Sequence, residues 1–387
     1  MTVTHAPVDR PVQLVDEYAT GDFFLASAGH TILGSGVAQE VVDPDPARLS
    51  ARLRDLLDAS SAPVAVGILP FDTTPAGTVP SRMVLPAVLH RAGPAHPQAA
   101  ALTRAALPSP LAVRPVPEPR RHVETVAEGI RLLAEHRLHK IVLARALDLE
   151  FAEPPAPGAV LRNLVKDHPR GYTFAAGLPG GATFLGATPE LLLSRTGRNV
   201  SFRPHAGSAP RSDDPLRDKE NGRALFASTK DRVEHAVVIE SMVECLRPFC
   251  RRLSVPGEPE VVSTPTIWHL ATRITGELAD PEVTALDVAA ALHPTPAVCG
   301  SPTDAARRLV TGLEPFDRDF YAGAVGWVDA NGDGEWAVAI RCAELAGNRM
   351  RLYAGGGIVA DSDPEAELAE TSVKFRTLLR AMGVADV

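Results

Sequence analysis

Two pairs of acidic residues have the spacing that places carboxylates side by side on a helix. Asp231 and Glu234 lie in KDRVEH, and Glu367 and Glu370 lie in AELAET. Residues three positions apart share one helix face, and Mg²⁺ prefers carboxylate oxygens and water as ligands. Two such helices facing each other would form a magnesium site. The alternative is a pair of solvated helix faces, with Glu370 and Lys374 as an ordinary i,i+4 ion pair.

A lysine and a glutamate stand where an apolar setting would change their proton chemistry. Lys140 precedes the apolar stretch IVLARALDLEF, and Glu190 follows a proline between two apolar runs in FLGATPELLLSR. Burial disfavours the charged form of either side chain, so the two could serve as general base and general acid. The alternatives are a strand-edge lysine whose ammonium group reaches water and a glutamate in a surface turn.

Arg341 is a candidate for binding a carboxylate. The alternation in EWAVAIRCAEL predicts one strand with Arg341 on a face of alanines, where its guanidinium could hold an anion in a bidentate fork. The glycines at 355–357, in a neighbouring strand, would let backbone N–H groups approach a second carboxylate, although a bulge explains them equally well. Ser208 in PHAGS, His269 in TIWHLAT and residues 293–302 are further candidates. Core or loop structure could explain each of these.

The helices that must position these groups follow from apolar residues at helical spacing. This spacing predicts helices over PARLSARLRDLLDA and over residues 123–133. Asp363 and Pro364 suit the N-cap and first turn of a helix that carries Glu367 and Glu370. Another helix should begin near Ser228 or Thr229. Its predicted apolar stripe is Ala236, Ile239, Val243 and Leu246.

Strand and turn patterns predict the fold class. Apolar or alternating runs predict strands in FFLASAGHTIL, PVAVGILPF and IVLARALDLEF, and residues 331–334 suit a turn between antiparallel strands. Strands grouped with such turns favour an α+β fold over a doubly wound sheet. Residues 104–121 contain five prolines and no apolar period, which predicts an extended connector that divides the chain.

The composition argues against several classes of protein. With 387 residues, of which 45% are hydrophobic, the chain can bury a large core. Its net charge of -8 opposes nucleic-acid binding, which requires Lys and Arg to neutralise phosphates. The longest apolar run, residues 62–70, is far shorter than the roughly 20 residues that cross a bilayer, and residues 1–17 lack the pattern of a secretory signal. We expect a cytoplasmic protein with no nucleic-acid or membrane partner.

The cysteines are widely spaced and include no C-x-x-C pair. This spacing predicts buried, reduced thiols and argues against a zinc or iron–sulfur site. The four residues are Cys245, Cys250, Cys299 and Cys342.

Ten strings resemble, in order, those of the chorismate-utilising enzyme family. They are KIVLAR, FLGATPELLLS, PHAGS, KDRVEH, STPTIWHLAT, HPTPAVCGSP, LEPFDRDFYAGAVGW, EWAVAIRC, YAGGGIV and AETSVKF. They run from about residue 121 to the C-terminus and look most similar to the isochorismate synthases. The resemblance implies a monomer with a single α+β fold, in which two antiparallel sheets pack together with helices outside. Residues 1–120 would complete this fold, and residues 121–387 would form the catalytic region.

The resemblance also implies a role for each candidate residue. By motif, Lys140 would activate water for attack on carbon 2 of the chorismate ring, and Glu190 would protonate the hydroxyl that leaves carbon 4. Glu234 and Glu370 would bind Mg²⁺. Asp231 and Glu367 would orient the waters of the ion. The positions that would bind or line the substrate are Ser208, His269, Ala297, Arg341, Gly355, Gly357 and Lys374.

Three positions distinguish among the reactions of this family. Lys140 resembles the enzymes whose nucleophile is water, whereas anthranilate-forming relatives use ammonia and lack this lysine. Ala206 in PHAGS differs from the lysine of relatives that form aminodeoxychorismate. Ala297 resembles the isochorismate synthases, while relatives that eliminate pyruvate to form salicylate tend to carry threonine. The expected reaction therefore interconverts chorismate and isochorismate.

The pathway and two alternative functions stay open at this point. The sequence HPTPAVCG resembles that of synthases serving 2,3-dihydroxybenzoate siderophores more than that of synthases serving menaquinone. A salicylate synthase would share the chemistry of Lys140 and would release pyruvate. A catalytically silent chorismate-binding scaffold is the other alternative, because Val233, Ala236 and Leu368 depart from the family pattern.

Overall fold

The computed structural model describes residues 7–8, 11–59, 64–135 and 138–384. A short 3₁₀ turn covers Pro179–Gly181. The α-helices in these ranges are α1 (Gln13–Glu17), α2 (Pro46–Ala59), α3 (His96–Ala99), α4 (Pro119–Glu135), α5 (Pro157–Asp167), α6 (Pro215–Ala227), α7 (Thr229–Leu246), α8 (Ala285–Leu292), α9 (Thr303–Leu313) and α10 (Pro364–Met382).

In the described ranges, the strands occur singly or in groups of up to five between the helices. They are β1 (Pro7–Val8), β2 (Phe23–Ala26), β3 (Thr31–Asp43), β4 (Val64–Leu69), β5 (Ser81–Ala92), β6 (Ala112–Val116), β7 (Lys140–Glu150), β8 (Tyr172–Gly177), β9 (Thr183–Thr188), β10 (Leu191–Thr196), β11 (Asn199–Arg203), β12 (His205–Pro210), β13 (Cys250–Ser254), β14 (Glu260–Ser263), β15 (Ile267–Ala271), β16 (Ile274–Leu278), β17 (Gly300–Ser301), β18 (Ala324–Asp329), β19 (Gly334–Val338), β20 (Cys342–Ala346) and β21 (Arg349–Ile358).

Within the described ranges, hydrogen bonds join 18 strands into one curled sheet. The order is β6-β7-β21-β20-β9-β8-β2-β3-β5-β4-β18-β19-β10-β11-β16-β13. β17 pairs with the start of β7, and β1 makes a parallel contact with β5, whereas the other pairings are antiparallel. β12, β15 and β14 form a separate small sheet. The predicted α+β class is confirmed.

Strands from the first third of the chain lie inside this sheet. β2 pairs with β8 and β4 pairs with β18, so β2, β3, β5 and β4 bridge two groups of strands from later in the sequence. The predicted connector, residues 104–121, is not a free linker, because residues 112–116 form β6 against β7. Prolines are tolerated there because β6 lies at the edge of the sheet.

Alternate residues of the same strands face two different cores. Phe174 and Phe184 face an inner core that also contains Trp336 of β19. Ala175 and Leu185, one position along, face a second core that α1, α5 and α10 cover. This two-residue period is that of strands buried on both faces, and it explains why their sequences are almost continuously apolar.

The predicted helix starts are confirmed. The Ser228 side chain accepts from the Asp231 N–H at 3.2 Å and caps α7, and the Asp363 side chain accepts from the Ala366 N–H at 2.8 Å and caps α10. Pro364 follows as the first residue of α10. These caps fix the helical phase of both acidic pairs.

The apolar stripe predicted for α7 is displaced. Of the predicted stripe, Leu246 is buried, Ile239 and Val243 are partly buried and Ala236 is exposed, whereas Val238 and Met242, outside that stripe, are buried. The reason is that Glu234 and His235 of α7 are also buried. The buried face of the helix is therefore shifted by about one residue from the predicted apolar stripe. The helix was predictable, but the face that carries chemistry was not.

The cysteine prediction holds only in part. All four are free thiols, and Cys299 and Cys342 are buried, but Cys245 is exposed. In the part of the chain that the structure describes, no helix is long and apolar enough to cross a membrane. Parts of two segments interpreted from the sequence lie outside the described residues. They are residues 1–6 and 9–10 of the segment that lacks the pattern of a secretory signal, and residues 62–63 of the longest apolar run.

Candidate active site

One cavity collects most of the predicted site residues. Its walls come from β7, β12, β15 and β21, from helices α7 and α10, and from the loops before β10 and β17. The predicted residues that line it are Glu190, Ser208, Glu234, His269, Ala297, Arg341, Gly355, Gly357, Glu370 and Lys374. The other three, Lys140, Asp231 and Glu367, lie behind these lining residues and interact with them.

Lys140 is buried at the first residue of β7. It is 1% exposed, so the interpretation as a lysine that reaches water is wrong. Its Nζ donates to Glu234 Oε1 at 2.8 Å. A Cβ at Gly357 would lie 2.2 Å from that oxygen and 2.6 Å from Lys140 Cε. The ion pair therefore fits against β21 because that strand carries glycine at this point.

Glu190 occupies the corner between β9 and β10 and is 2% exposed, so the interpretation as a surface turn glutamate is wrong. Burial raises the pKa of its carboxyl to about 7, although the His205 N–H and the charges of Lys140 and Arg341 oppose the shift. Its Oε1 has no hydrogen-bond partner among the described residues. A carboxyl that stays protonated up to neutral pH can act as a general acid.

Three of the predicted metal-binding carboxylates each pair with a lysine. Besides Glu234, Glu367 Oε1 accepts from Lys230 Nζ at 2.7 Å, and Glu370 Oε1 accepts from Lys374 Nζ at 2.5 Å. The i,i+4 pair is therefore present. Glu234 and Glu367 are only 7% and 1% exposed, so solvated helix faces do not describe them. Helices α7 and α10 bring the two acidic pairs together with positive charges between them.

The carboxylates of this cluster differ in how readily they take up a proton. Burial raises the pKa of Glu367, and the charge of Glu370 adds to the effect. Burial also acts on Glu370, but the ammonium groups of Lys374 and Lys230 outweigh it, and the pKa of Glu370 is lowered. Burial raises the pKa of Asp231. Glu370 is therefore held ionised beside a carboxyl that is protonated more easily.

The donor set of this cluster fits Mg²⁺. Across the described ranges, no group of three Asp, Glu, His or Cys side chains has metal-binding spacing. However, Glu367 Oε2 is buried and has no partner in those ranges. A Cβ at Gly356 would lie 3.0 Å from that oxygen and 3.7 Å from Glu370 Oε1, so β21 leaves room between the two carboxylates. A set made only of carboxylate oxygens suits Mg²⁺, which would compete with the lysines for them.

Arg341 lies in a break between two strands. The predicted continuous strand, with Arg341 on a face of alanines, is wrong, because β19 ends at Val338 and β20 begins at Cys342. Arg341 has a φ of 51°, which is uncommon for a residue with a Cβ, and its side chain lines the cavity. The charges of Glu190 and Glu370 act on its guanidinium. β20 does pair with β21, as predicted.

Neutral histidines surround the first half of β12. The rings of His205 and His269 lie 5.5 Å apart, and His235 Nε2 lies 2.7 Å from Thr272 Oγ1. Burial lowers the pKa of His205 to about 3 and that of His235 to about 4, so both rings are neutral at physiological pH. His269 Nε2 has no partner within the described residues. The ring is therefore not a satisfied packed side chain and can meet a ligand.

Sequence reasoning missed several residues of this site. Lys230 directly precedes Asp231, and its place beside an acidic pair was the only available signal. Tyr321 lines the cavity and stacks on Tyr353 with ring centroids 5.0 Å apart. A Cβ at Gly355 would lie 2.7 Å from the Tyr321 hydroxyl. No local pattern distinguishes such a tyrosine from an ordinary core aromatic.

The chain is similar to known proteins along nearly its whole length. Residues 95–383 match the family of chorismate binding enzymes. Isochorismate synthase DhbC of Bacillus subtilis is 46% identical over 97% of this chain and 96% of its own length. The putative isochorismate synthase MenF of Mycobacterium tuberculosis is 42% identical over 94% of this chain and 96% of its own. The crystal structure of a putative 2,3-dihydroxybenzoate-specific isochorismate synthase, DhbC from Bacillus anthracis, matches with a TM-score of 0.90 and 41% identity, covering 97% of this chain and 100% of that one.

Proposed function

This chain belongs to the family of chorismate binding enzymes, and on that premise we propose that it is a magnesium-dependent isochorismate synthase. The relatives named as isochorismate synthases are similar to it along nearly its whole length. The observation that carries the proposal is a buried acid, Glu190, in the wall of a cavity behind which a buried lysine, Lys140, pairs with the lining residue Glu234. The reaction replaces the hydroxyl at carbon 4 of chorismate with a new hydroxyl at carbon 2.

Lys140 and Glu190 supply the two proton transfers of this reaction. Lys140 acts as the general base and takes a proton from a water molecule whose oxygen forms a bond to carbon 2. Both conjugated double bonds of the ring shift by one position, the bond from carbon 4 to oxygen breaks, and Glu190 protonates that oxygen so that it leaves as water. One water is consumed and one is released, so the product is an isomer of the substrate. The pKa of about 7 keeps Glu190 protonated for this role.

The carboxylates of the cluster would hold the metal. Glu234 and Glu370 would bind Mg²⁺, and Asp231 and Glu367 would orient its waters. When bound, the ion would offset the negative charge of the ring carboxylate. Support for this assignment comes from the free Oε2 of Glu367 and from the space that β21 leaves between the carboxylates.

The remaining wall residues would hold the two carboxylates of the substrate. Arg341 offers a guanidinium, and the N–H groups of Gly355 and Gly357 can be approached closely because neither residue has a Cβ. Ser208, His269 and Lys374 complete the polar wall. These groups fix the orientation of the ring, so that carbons 2 and 4 face Lys140 and Glu190 respectively.

Ala297 sets the expected product. Its methyl group lines the cavity where relatives that eliminate pyruvate tend to carry a hydroxyl, so the reaction should stop at isochorismate. Supply of 2,3-dihydroxybenzoate for a siderophore is the downstream use we favour, and the Bacillus anthracis relative named as 2,3-dihydroxybenzoate-specific supports it. We also propose a monomeric, cytoplasmic enzyme without a nucleic-acid partner, on its net charge of -8 and its free thiols.

Product analysis tests this function. The purified protein is incubated with chorismate, with and without Mg²⁺, and the products are separated by liquid chromatography. The proposal predicts isochorismate that depends on Mg²⁺ and is not accompanied by pyruvate. Salicylate with pyruvate would make the protein a salicylate synthase, and unchanged chorismate would leave only a binding scaffold.

A further inference from the structure

A second cavity adjoins the site cavity. The two share three lining residues, Pro189, His205 and Arg341. The second cavity measures about 500 Å³, whereas the site cavity measures about 60 Å³. Pockets that hold small molecules usually span roughly 300–1,000 Å³, so the larger cavity can admit a molecule the size of the substrate.

Positive charge dominates the lining of this second cavity. Arg170, Arg203, Arg211 and Arg341 line it, and its described lining includes no acidic side chain, although the chain as a whole carries a net charge of -8. The C-terminal residue of β11 and the loops after α5 and β12 supply three of these arginines. Cavities lined by one sign of charge concentrate ligands of the opposite sign.

Two of these arginines are held in place by contacts outside the lining. Arg203 pairs with Glu260 at 2.9 Å. Arg211 pairs with Asp218 at 2.8 Å, and its guanidinium lies 4.5 Å from the centre of the Trp268 ring. Asp218 and Glu260 do not line the cavity. The arginines are therefore fixed by acids behind the wall while they present their charge toward the cavity.

The shared wall has groups suited to passing an anion onward. Both ring nitrogens of His205 are buried, and neither has a hydrogen-bond partner in the described part of the chain. Arg341 lies in the same wall and also lines the site cavity. The site cavity itself carries Glu234 and Glu370, each neutralised by a lysine. The described lining of the second cavity has no such carboxylate.

We propose that the second cavity captures the dicarboxylate substrate from solution and passes it along Arg341 and His205 into the site. This inference rests on the proposed function, because it takes chorismate as the ligand. Arg170 and Arg203 take no part in the chemistry but raise the rate at which the protein captures the substrate. Electrostatic steering of this kind raises association rates by roughly 10–10³-fold and weakens as salt increases.

The test measures kcat and KM for chorismate, at saturating Mg²⁺, as a function of NaCl concentration. The variants are Arg170→Glu, Arg203→Gln and the matched control Arg48→Glu. Arg48 is exposed on α2, which packs against α8, β3 and β4 and supplies no residue to either cavity. Arg170 is also exposed, so its replacement should not disturb folding, and thermal unfolding of each variant checks this.

We expect Arg170→Glu to lower kcat/KM about tenfold at low salt, with kcat changed less than twofold. The difference should largely disappear at about 0.5 M NaCl, where charges are screened within a few ångströms. Arg203→Gln should act in the same direction, and Arg48→Glu should change kcat/KM less than twofold. Equal kcat/KM and equal salt dependence in Arg170→Glu and Arg48→Glu would overturn the inference while leaving the proposed function intact. Absence of turnover in the unaltered protein would overturn both.

Discussion

Glu190 and Lys140 differ in how the fold treats their charges. Lys140 is buried beside an acid, Glu234, whereas Glu190 is buried with one oxygen unpartnered among the described residues. Burial without a partner favours the neutral acid, which accounts for the raised pKa of Glu190. Desolvation therefore keeps on Glu190 the proton that its proposed role requires.

The raised pKa of Glu190 predicts the alkaline limb of the activity profile. We expect kcat/KM to fall tenfold per pH unit above about pH 7, as the free enzyme loses the proton of Glu190. Glu190→Gln should lower kcat by about 10²–10⁴-fold, since the amide cannot donate a proton at this step. The pH dependence of kcat/KM from pH 5 to pH 9 tests this. A plateau that extends to pH 9 would show that Glu190 is not the titrating acid.

The same residue predicts a change in stability with a defined sign. The unfolded carboxyl ionises near 4.5 and the folded one near 7, so the stability that this group contributes is lost as pH rises between those values. Glu190→Gln should therefore gain stability relative to the unaltered protein between pH 5 and pH 8, by at most about 3 kcal/mol. Urea unfolding at both pH values measures it. An equal difference at pH 5 and pH 8 would contradict the burial argument.

Removing the amino group of Lys140 should stop the reaction and weaken the fold. Lys140→Met keeps most of the side-chain volume but removes the base, so we expect kcat to fall by about 10²–10⁴-fold. It also leaves Glu234 buried without its partner, which should lower the melting temperature. Lys219→Met, on the exposed face of α6, is the matched control and should change neither quantity. Retention of kcat in Lys140→Met would exclude Lys140 as the base.

At the scale of elements, β21 determines how closely the charged groups can gather. Gly357 lets the pair of Lys140 and Glu234 lie against the strand, and Gly356 leaves space beside Glu367 and Glu370. The glycines of this strand are therefore explained by close approach of side chains and not only by a turn or bulge. The small-residue pattern in YAGGGIV thus belongs to the site.

Gly357→Ala tests this explanation. The added methyl group would meet Glu234 Oε1 at 2.2 Å, so the carboxylate must move and its contact with Lys140 should be lost. We expect weaker binding of Mg²⁺ in titration calorimetry and a loss of about 1–3 kcal/mol in the free energy of unfolding. Gly312→Ala, in α9, has open space around its Cβ, so it should leave the Mg²⁺ affinity unchanged and should not lower the free energy of unfolding, since alanine favours a helix over glycine. Unaltered Mg²⁺ affinity in Gly357→Ala would contradict this role of the strand.

The sequence predicted elements better than it predicted faces. Caps placed the starts of α7 and α10 correctly, because Ser228 and Asp363 act within a few residues of themselves. The buried face of α7 and the break at Arg341 could not be predicted in this way. Both depend on partners far along the chain that stabilise a buried Glu234 and a strained backbone. Local sequence patterns do not identify partners that are distant in the chain.

At the scale of the whole molecule, the N-terminal strands are structural members of the catalytic fold. β2, β3, β5 and β4 stand between β8 and β18, which carry residues from the later part of the chain. The strand order itself could not be read from the sequence, because pairing partners lie more than a hundred residues apart. The family resemblance supplied the expectation that residues 1–120 complete the fold.

Residues 121–387 alone should therefore fail to fold. Without residues 1–120, β8 loses its partner β2 and β18 loses its partner β4. Both strands would have unpaired edges, and the inner core would be exposed. We expect no cooperative thermal transition and an aggregated elution profile for this fragment. A monomeric fragment with a cooperative transition would show that residues 1–120 are dispensable for folding.

In the proposed reaction, water supplies the new hydroxyl while the hydroxyl at carbon 4 leaves. The most direct measurement is the mass of isochorismate formed from chorismate and Mg²⁺ in water enriched in ¹⁸O, sampled early in the reaction. Water attack predicts one solvent oxygen in isochorismate, located at carbon 2. Lys140→Met should form no labelled isochorismate. Isochorismate without solvent oxygen would contradict water attack and would require the original hydroxyl to migrate within the ring.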